Sequence, residues 1–499
     1  MNLNKYINRK DFLASIVVFF VALPLCMGIS LASGVPPLYG LISGMIGGII
    51  VGYFAGCPLQ VSGPAAGLAV MVYNFVDSYG ISALAPLGII VGTTQILIYK
   101  FKLASYFKAV SPALIKGLLS GIGFIIFASQ LHIALDLKPQ GSGINNLITF
   151  PERAWMAISQ NAYQSFLLCG LTIAVIVLWP KLFKKLSGII PAPLAGIFTA
   201  AMVSYFAKLD ISFINISSDL ASSLNFISAS SIAGITFGMV LSALAIAFVA
   251  SAETLLSVAA VDRLSGQGFS SYNQEMKAQG IGNIIAGFFG VLPITGVIVR
   301  SSANIEMGAK SRGSAIIHGF WLLIMVLGLG SVLSYIPTSA LAAILIITGV
   351  KLMNLPAIKG IFLKSKTEFM VFLITFLLII SVDLLAGVVS GFIVSVIFTI
   401  KNLKSFELTT EENGNKVDFI FKGTASFLHI PRIAKVLHNE GHMKKEVVLN
   451  IKNLTYKDWA IEEEISMWVD LRQKLGLTSD IIIEEPEGII NNNKKIRAA

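Results

Sequence analysis

The chain has 499 residues, of which 55% are hydrophobic and only 13% charged, with a formal net charge of +10. Soluble domains carry roughly 25% charged residues, so this composition excludes a water-soluble globule and a disordered chain alike. No Asp, Glu, Lys or Arg occurs between Asp11 and Asp77, and from Leu220 to Val261 the sole such residue is Glu253; tracts of this kind read as membrane spans.

Taken in chain order, apolar segments are predicted near 12–32, 37–56, 61–76, 82–99, 111–131, 163–180 and 189–207. A second set follows near 230–261, 278–290, 295–308, 313–333, 338–350, 367–382 and 385–400. The first segment continues into further spans, so it is no cleavable signal. Basic residues orient the set. If Lys5, Arg9 and Lys10 are cytoplasmic, alternation puts Lys100, Lys102, Lys108, Lys181, Lys184 and Lys185 on the same side. Lys310, Arg312, Lys351, Lys359, Lys364 and Lys366 follow them, while the long loops 132–162 and 208–229 fall outside. That distribution obeys the positive-inside bias. It predicts a multi-pass protein of the cell inner membrane or plasma membrane with both termini in the cytoplasm.

The two sets share a pattern that predicts repeats over about 11–207 and 230–402. In the first, a segment containing Pro24 precedes the string Ser62-Gly63-Pro64-Ala65-Ala66-Gly67. In the second, a segment containing Glu253 precedes Pro293-Ile294-Thr295-Gly296-Val297-Ile298-Val299-Arg300. Seven is an odd number, so the second set enters the membrane from the opposite side. Short segments interrupted by Gly or Pro at matching places in two halves point to a transporter's midplane site.

A helix that starts inside the membrane presents free N–H groups and the positive end of its dipole there. Small or apolar residues let an anion approach those donors. Ala65, Ala66 and Gly67, with Gly296, Val297 and Ile298, are the candidate anion-binding positions, and Arg300 adds a positive field. Glu253 is a carboxylate in an otherwise charge-free span, which marks a cavity, a cation or a proton path. Ser257 lies one turn later on the same face and completes a candidate coupling-ion pair. Gly44, Gly48 and Gly52 form a stripe for close helix packing.

Beyond 404 the composition changes. Val417–Phe421, Val447–Ile451 and Asp480–Glu484 read as strands, with helices over Phe427–Leu437 and Ala460–Leu475, a small cytoplasmic α/β unit over 405–490. The polar tail 491–499 is expected to fray. Cys26, Cys57 and Cys169 are isolated and make no disulfide framework. His132, His318, His429, His438 and His442 show no metal-ligand spacing. No phosphate-binding loop supports an ATP-driven pump or a nucleotide enzyme, and no basic-aromatic surface supports nucleic-acid binding. No cofactor is expected beyond Na+ or H+ as a coupling ion.

Several strings resemble the SulP family of inorganic-anion transporters. They are Ala32-Ser33-Gly34-Val35-Pro36-Pro37-Leu38-Tyr39-Gly40-Leu41, Val61 through Gly67, Ser251 through Leu256, Asn273 through Asn283, and Phe289 through Gly296 with Arg300 and Asn304. The resemblance implies an all-α polytopic membrane protein of 14 spans in 7+7 inverted repeats, with uracil-permease-like core and gate domains. It implies an elevator-like secondary transporter of small inorganic oxyanions, sulfate foremost, coupled to protons or sodium. A sodium-coupled bicarbonate transporter and a chloride exchanger or channel are the alternatives within the family. It further implies a homodimer embedded in the lipid bilayer, a STAS domain over residues 405–490, and no enzymatic activity. The sequence departs from the family at Leu25, where many members have Gln, and at Ile298, where a sodium-bicarbonate type has Thr. It also reads Lys457-Asp458-Trp459-Ala460 where STAS domains carry a phosphorylatable hydroxyl.

Overall fold

The computed structural model describes residues 8–104, 111–140, 143–159, 163–187, 190–214, 224–265, 270–328, 333–382, 384–401, 406–414, 416–426, 429–437, 446–457, 461, 464–466, 468–469, 472, 481–484 and 495–496. Lys5, Lys108, Phe427, His438, His442, Asp458, Trp459, Ala460 and Asp480 lie outside these.

Among the described residues each predicted apolar segment contains a helix, and two of them, 61–76 and 295–308, open with extended chain instead. Arg9–Ala32 is capped by Asn8, whose side chain accepts from Lys10 N at 3.3 Å. It ends at Gly34, whose φ of +71° turns the chain into Pro36 and the next helix, Pro37–Ile46. A π-helical turn over Gly47–Val51 and a last turn at Gly52–Phe54 extend that helix. Its glycine stripe packs as expected. A Cβ on Gly44 would meet Leu322 at 2.9 Å, and one on Gly48 would meet the Gly319 backbone at 2.8 Å. Only hydrogen at Gly48 lets this helix and Gly313–Gly328 touch through their backbones, while Gly44 makes room for the Leu322 side chain. By length and composition, among the described residues, seven helical runs suffice to cross a membrane, one of them (Thr338–Leu363) only when counted across the break at Asn354, and Ala192–Ala207, Gly313–Gly328 and Ala386–Phe398 are shorter apolar ones.

The helices sort into two bundles. In one, Arg9–Ala32, Pro37–Ile46, Leu84–Lys100, Tyr272–Phe288 and Gly313–Gly328 pack together, with Ala66–Tyr79, Phe237–Ser265 and Ile298–Glu306 beside them. In the other, Pro112–Ile133 packs on Thr338–Met353 and Lys366–Ser381, joined by Gln164–Leu182, Ala192–Ala207 and Leu384–Lys401. Both sequence halves contribute to each bundle, and glycine contacts join the halves. A Cβ on Gly88 would lie 2.5 Å from Gly287, and one on Gly123 2.5 Å from the Gly349 carbonyl.

Two regions differ from the sequence reading. The segment 132–162, read as a loop, holds the helix Gly143–Ser159. Its scattered polar residues hide a helix whose Thr149 bonds His132 Nε2 at 3.3 Å. Asp136, in the left-handed conformation at φ 55°, gathers this side of the molecule. It accepts from Ser212 N and Thr338 Oγ1, each at 3.1 Å, and from the Ser165 hydroxyl.

The C-terminal unit is a five-stranded sheet in the order Phe406–Asn413, Lys416–Ala425, Glu446–Lys457, Ile481–Glu484, Lys495–Ile496. The outer pairs are antiparallel and the inner pairs parallel. The strand Phe406–Asn413 has no counterpart among the predicted strands, because it is an edge strand rich in Thr and Glu. It joins its neighbour through Gly414 at φ +61°. Within the tail expected to fray, Lys495 and Ile496 instead pair with Ile482 and Ile481, since an apolar edge strand accepts even a polar partner through its backbone. The helix Ile430–Leu437 covers the sheet, and Trp468 Nε1 donates to Leu437 O at 2.9 Å.

Candidate functional site

The two Gly/Pro strings meet. Ser62–Gly63 and Thr295–Gly296 form an antiparallel ladder, with Ser62 opposite Gly296 and Gly63 opposite Thr295. Val297 N donates to Val61 O at 3.0 Å and extends it. The helix Ala66–Tyr79 starts beyond one end of this ladder and Ile298–Glu306 beyond the other. The strands are antiparallel, so the helices run apart while their N-terminal ends turn towards each other. Neither start carries a side-chain cap: Ala65 and Val297 hold the cap positions and have no side-chain acceptor to offer. The first-turn amides thus keep their appetite for an anion.

Extended backbone is tolerated among membrane helices only where its amides find partners. Here side chains supply them. Asn283 accepts from Ile294 N at 2.7 Å and donates to Ile294 O at 2.9 Å. Gly296 N donates to Thr254 Oγ1 at 3.0 Å, and Val61 N to Ser301 Oγ at 2.9 Å. Gln279 reaches Ser62 Oγ at 2.7 Å, and Asn304 donates to Leu59 O at 3.0 Å. These clamping residues are not among the predicted site positions, although Gln279, Asn283 and Asn304 stand in the strings that carry the family resemblance. Polar side chains within apolar tracts were the available signal.

The candidate residues do not all face the same space. Ala66 and Val297 are half-buried, and Ile298 is 39% exposed, on the open side of the ladder. Gly296 is different. A Cβ built on it collides with the Gln60 amide, so position 296 looks into packed protein. Arg300 is fully buried and its Nη2 donates to Pro64 O at 3.3 Å, behind the first helix start. Its Nε and Nη1 have no hydrogen-bond partner, and among the described residues it pairs with neither Glu253 nor Glu306. A buried guanidinium that no acid pairs with among the described residues is expensive.

Glu253 approaches from Phe237–Ser265. A Cβ on Gly67 would lie 2.8 Å from its Oε2, which places the carboxylate against the first turn of Ala66–Tyr79. That oxygen and Ser257 Oγ are both buried without a hydrogen-bond partner. An apolar cavity of about 220 Å³ lined by Met71, Phe248, Val249, Val389 and Phe392 lies within reach, one turn from Gly67 and from Glu253. It separates this bundle from Leu384–Lys401 of the other. A larger cavity of about 1110 Å³, lined by Val35, Tyr73, Asp77, Asp136 and Lys138, opens at the far end of Ala66–Tyr79 and touches neither helix start.

Residues 9–375 match the sulfate permease family. YvdB of Bacillus subtilis, a sulfate transporter by provisional name, is 28% identical over 81% of this chain and 75% of its own. The bicarbonate transporter BicA of Picosynechococcus is 25% identical over 80% of this chain and 71% of its own. The solved structure of SLC26A9 superposes with a TM-score of 0.67 at 16% identity, covering 97% of this chain and 85% of that one, a likeness of fold. With a family match running through both helix starts and their clamping residues, the chain belongs to the sulfate permease family, a family of membrane transporters.

Proposed function

We propose that the protein is a secondary transporter of small inorganic oxyanions, sulfate foremost, in the cytoplasmic membrane. The observation that carries this reading is the ladder that turns two uncapped helix starts towards each other beside a fully buried, unpaired Arg300. Ala65, Ala66 and Gly67 on one side and Val297 and Ile298 on the other hold the anion through backbone amides. Gly296 keeps the ladder closed, and Arg300 attracts the anion from behind it. Glu253 and Ser257 bind the coupling proton or sodium. The bundle carrying the site moves against the other, elevator fashion, within 14 spans arranged as 7+7 inverted repeats. The STAS-like C-terminal unit supports a homodimer.

A sodium-coupled bicarbonate transporter is the second reading. It is favoured by the BicA relative and by the two unpartnered oxygens of Glu253 and Ser257, which suit a small hard cation. Proteoliposome uptake of radiolabelled sulfate, bicarbonate, fumarate and chloride, each under sodium and pH gradients, separates the two. Sulfate uptake driven by either gradient supports the first reading, sodium-driven bicarbonate uptake the second. Absence of flux for every anion sinks both.

Arg300→Gln is expected to weaken anion binding by roughly 5- to 150-fold, the equivalent of about 1–3 kcal/mol for a partly screened charge. The fold should survive, because the substitution removes an unpaired buried charge. Calorimetry on monodisperse protein measures it, and unchanged affinity would reduce Arg300 to a packing role.

The proposed orientation is tested by cysteines at Asn145 and Asn413, each in its own cysteine-free background, with an impermeant thiol reagent on intact cells. Labelling is expected at 145 and not at 413. The reverse pattern would invert the topology.

A further inference from the structure

The helix Leu355–Lys364 lies between Thr338–Met353 and Lys366–Ser381, with single-residue links at Asn354 and Ser365. Asn354 is left-handed at φ 41°, which breaks the apolar run and turns the chain sideways. Ile361 is 1% exposed and packs with Ala113, Leu114, Val371 and Phe372, near the N-terminal ends of Pro112–Ile133 and Lys366–Ser381. The helix therefore lies across the end of the second bundle. Its other side is exposed: Phe362 and Leu363 are 55% and 72% exposed, Lys359 on the same helix is exposed, and so are Lys351 and Lys366 at the near ends of the two flanking helices. Among the described residues none of these three lysines has an ion-pair partner.

From this placement we propose that Leu355–Lys364 is an interfacial anchor that binds anionic lipid headgroups. Two apolar helices tie it covalently to the level where hydrocarbon meets water. Phe362 and Leu363 enter the acyl boundary while the lysines meet phosphates at the headgroup level, as basic amphipathic helices do. Phe362 packs edge-on against Phe369 at 5.0 Å, which couples the anchor to the start of the next helix. Lipid bound here holds the second bundle at fixed depth while the site-bearing bundle moves. The assignment to the cytoplasmic leaflet rests on the orientation proposed above; the lipid site itself does not.

The test uses the full chain in nanodiscs and reads lipid directly, so failure of the transport reading leaves it interpretable. Wild type should retain fluorescent phosphatidylglycerol over phosphatidylcholine by tenfold or more, each surface lysine contributing about fivefold at most. Lys351→Gln/Lys359→Gln/Lys366→Gln should abolish that preference while keeping its melting temperature in phosphatidylcholine. A bimane on Leu363→Cys, in a cysteine-free background, should be quenched by lipids brominated near the headgroup. Equal retention of the two lipids by wild type, or a preference surviving in the triple variant, overturns the proposal. So does competition by inorganic phosphate, which would assign the lysines to a free anion. Bimane quenching by aqueous iodide alone overturns it as well, and a disulfide between two Leu363→Cys copies would give this face to a second protomer.

Discussion

Glu253→Gln is expected to abolish gradient-driven anion accumulation while leaving the protein folded and anion exchange intact. The glutamine keeps the shape and much of the hydrogen-bonding capacity of the acid but neither ionises nor holds a cation as a carboxylate does. In the structure the carboxylate stands against Gly67 at the first turn of Ala66–Tyr79, and one oxygen has no protein partner. Among the described residues no clamp of the ladder runs through that side chain; the neighbouring Thr254 does the clamping. Removing the charge therefore breaks the link between cation and anion without opening the site. In wild type a tenfold gradient of a singly coupled ion supports up to about tenfold accumulation, since each is worth about 1.4 kcal/mol. In the variant that driven component should vanish. Uptake into proteoliposomes with and without imposed gradients measures it. Unchanged gradient dependence would confine Glu253 to structure.

Gly296→Val should be the most damaging single change at the site, and through packing rather than by blocking an anion. A Cβ at 296 overlaps the Gln60 side chain, which is 2% exposed and donates to Thr254 O at 3.2 Å. Overpacking of this kind costs about 1–3 kcal/mol and more where backbone must part, and here the ladder would part. The purified variant should melt at lower temperature and lose anion binding. Gln60→Ala in the same chain vacates the volume and should restore much of the melting temperature. A native melting temperature in Gly296→Val alone would show that the ladder has room to spare. Restored stability without restored binding in the double variant would mean that residue 296 also meets the anion.

The sequence by itself determined the class of protein, because charge-free tracts have no soluble alternative, and it located the helical segments. It also found the two helix starts, since Gly, Pro and Ala in apolar tracts mark where a helix cannot run through. Repetition of that signal in two halves even implied that the starts belong together. Their joining depended on tertiary structure: Ser62 and Gly296 are far apart in the chain, and only folding pairs them. The directions of individual side chains were equally hidden. Arg300 and Gly296 sit in the same string as Ile298, yet one points behind the ladder and another into Gln60, because a strand-to-helix turn changes facing at each residue. The helix Leu355–Lys364 shows the same division. Its lysines were legible as a topology signal, but its position across the bundle end required Asn354 to turn left-handed and Ile361 to bury. Period and composition record what a residue can do; which neighbour it meets is fixed by long-range packing, and one sequence carries no direct record of that.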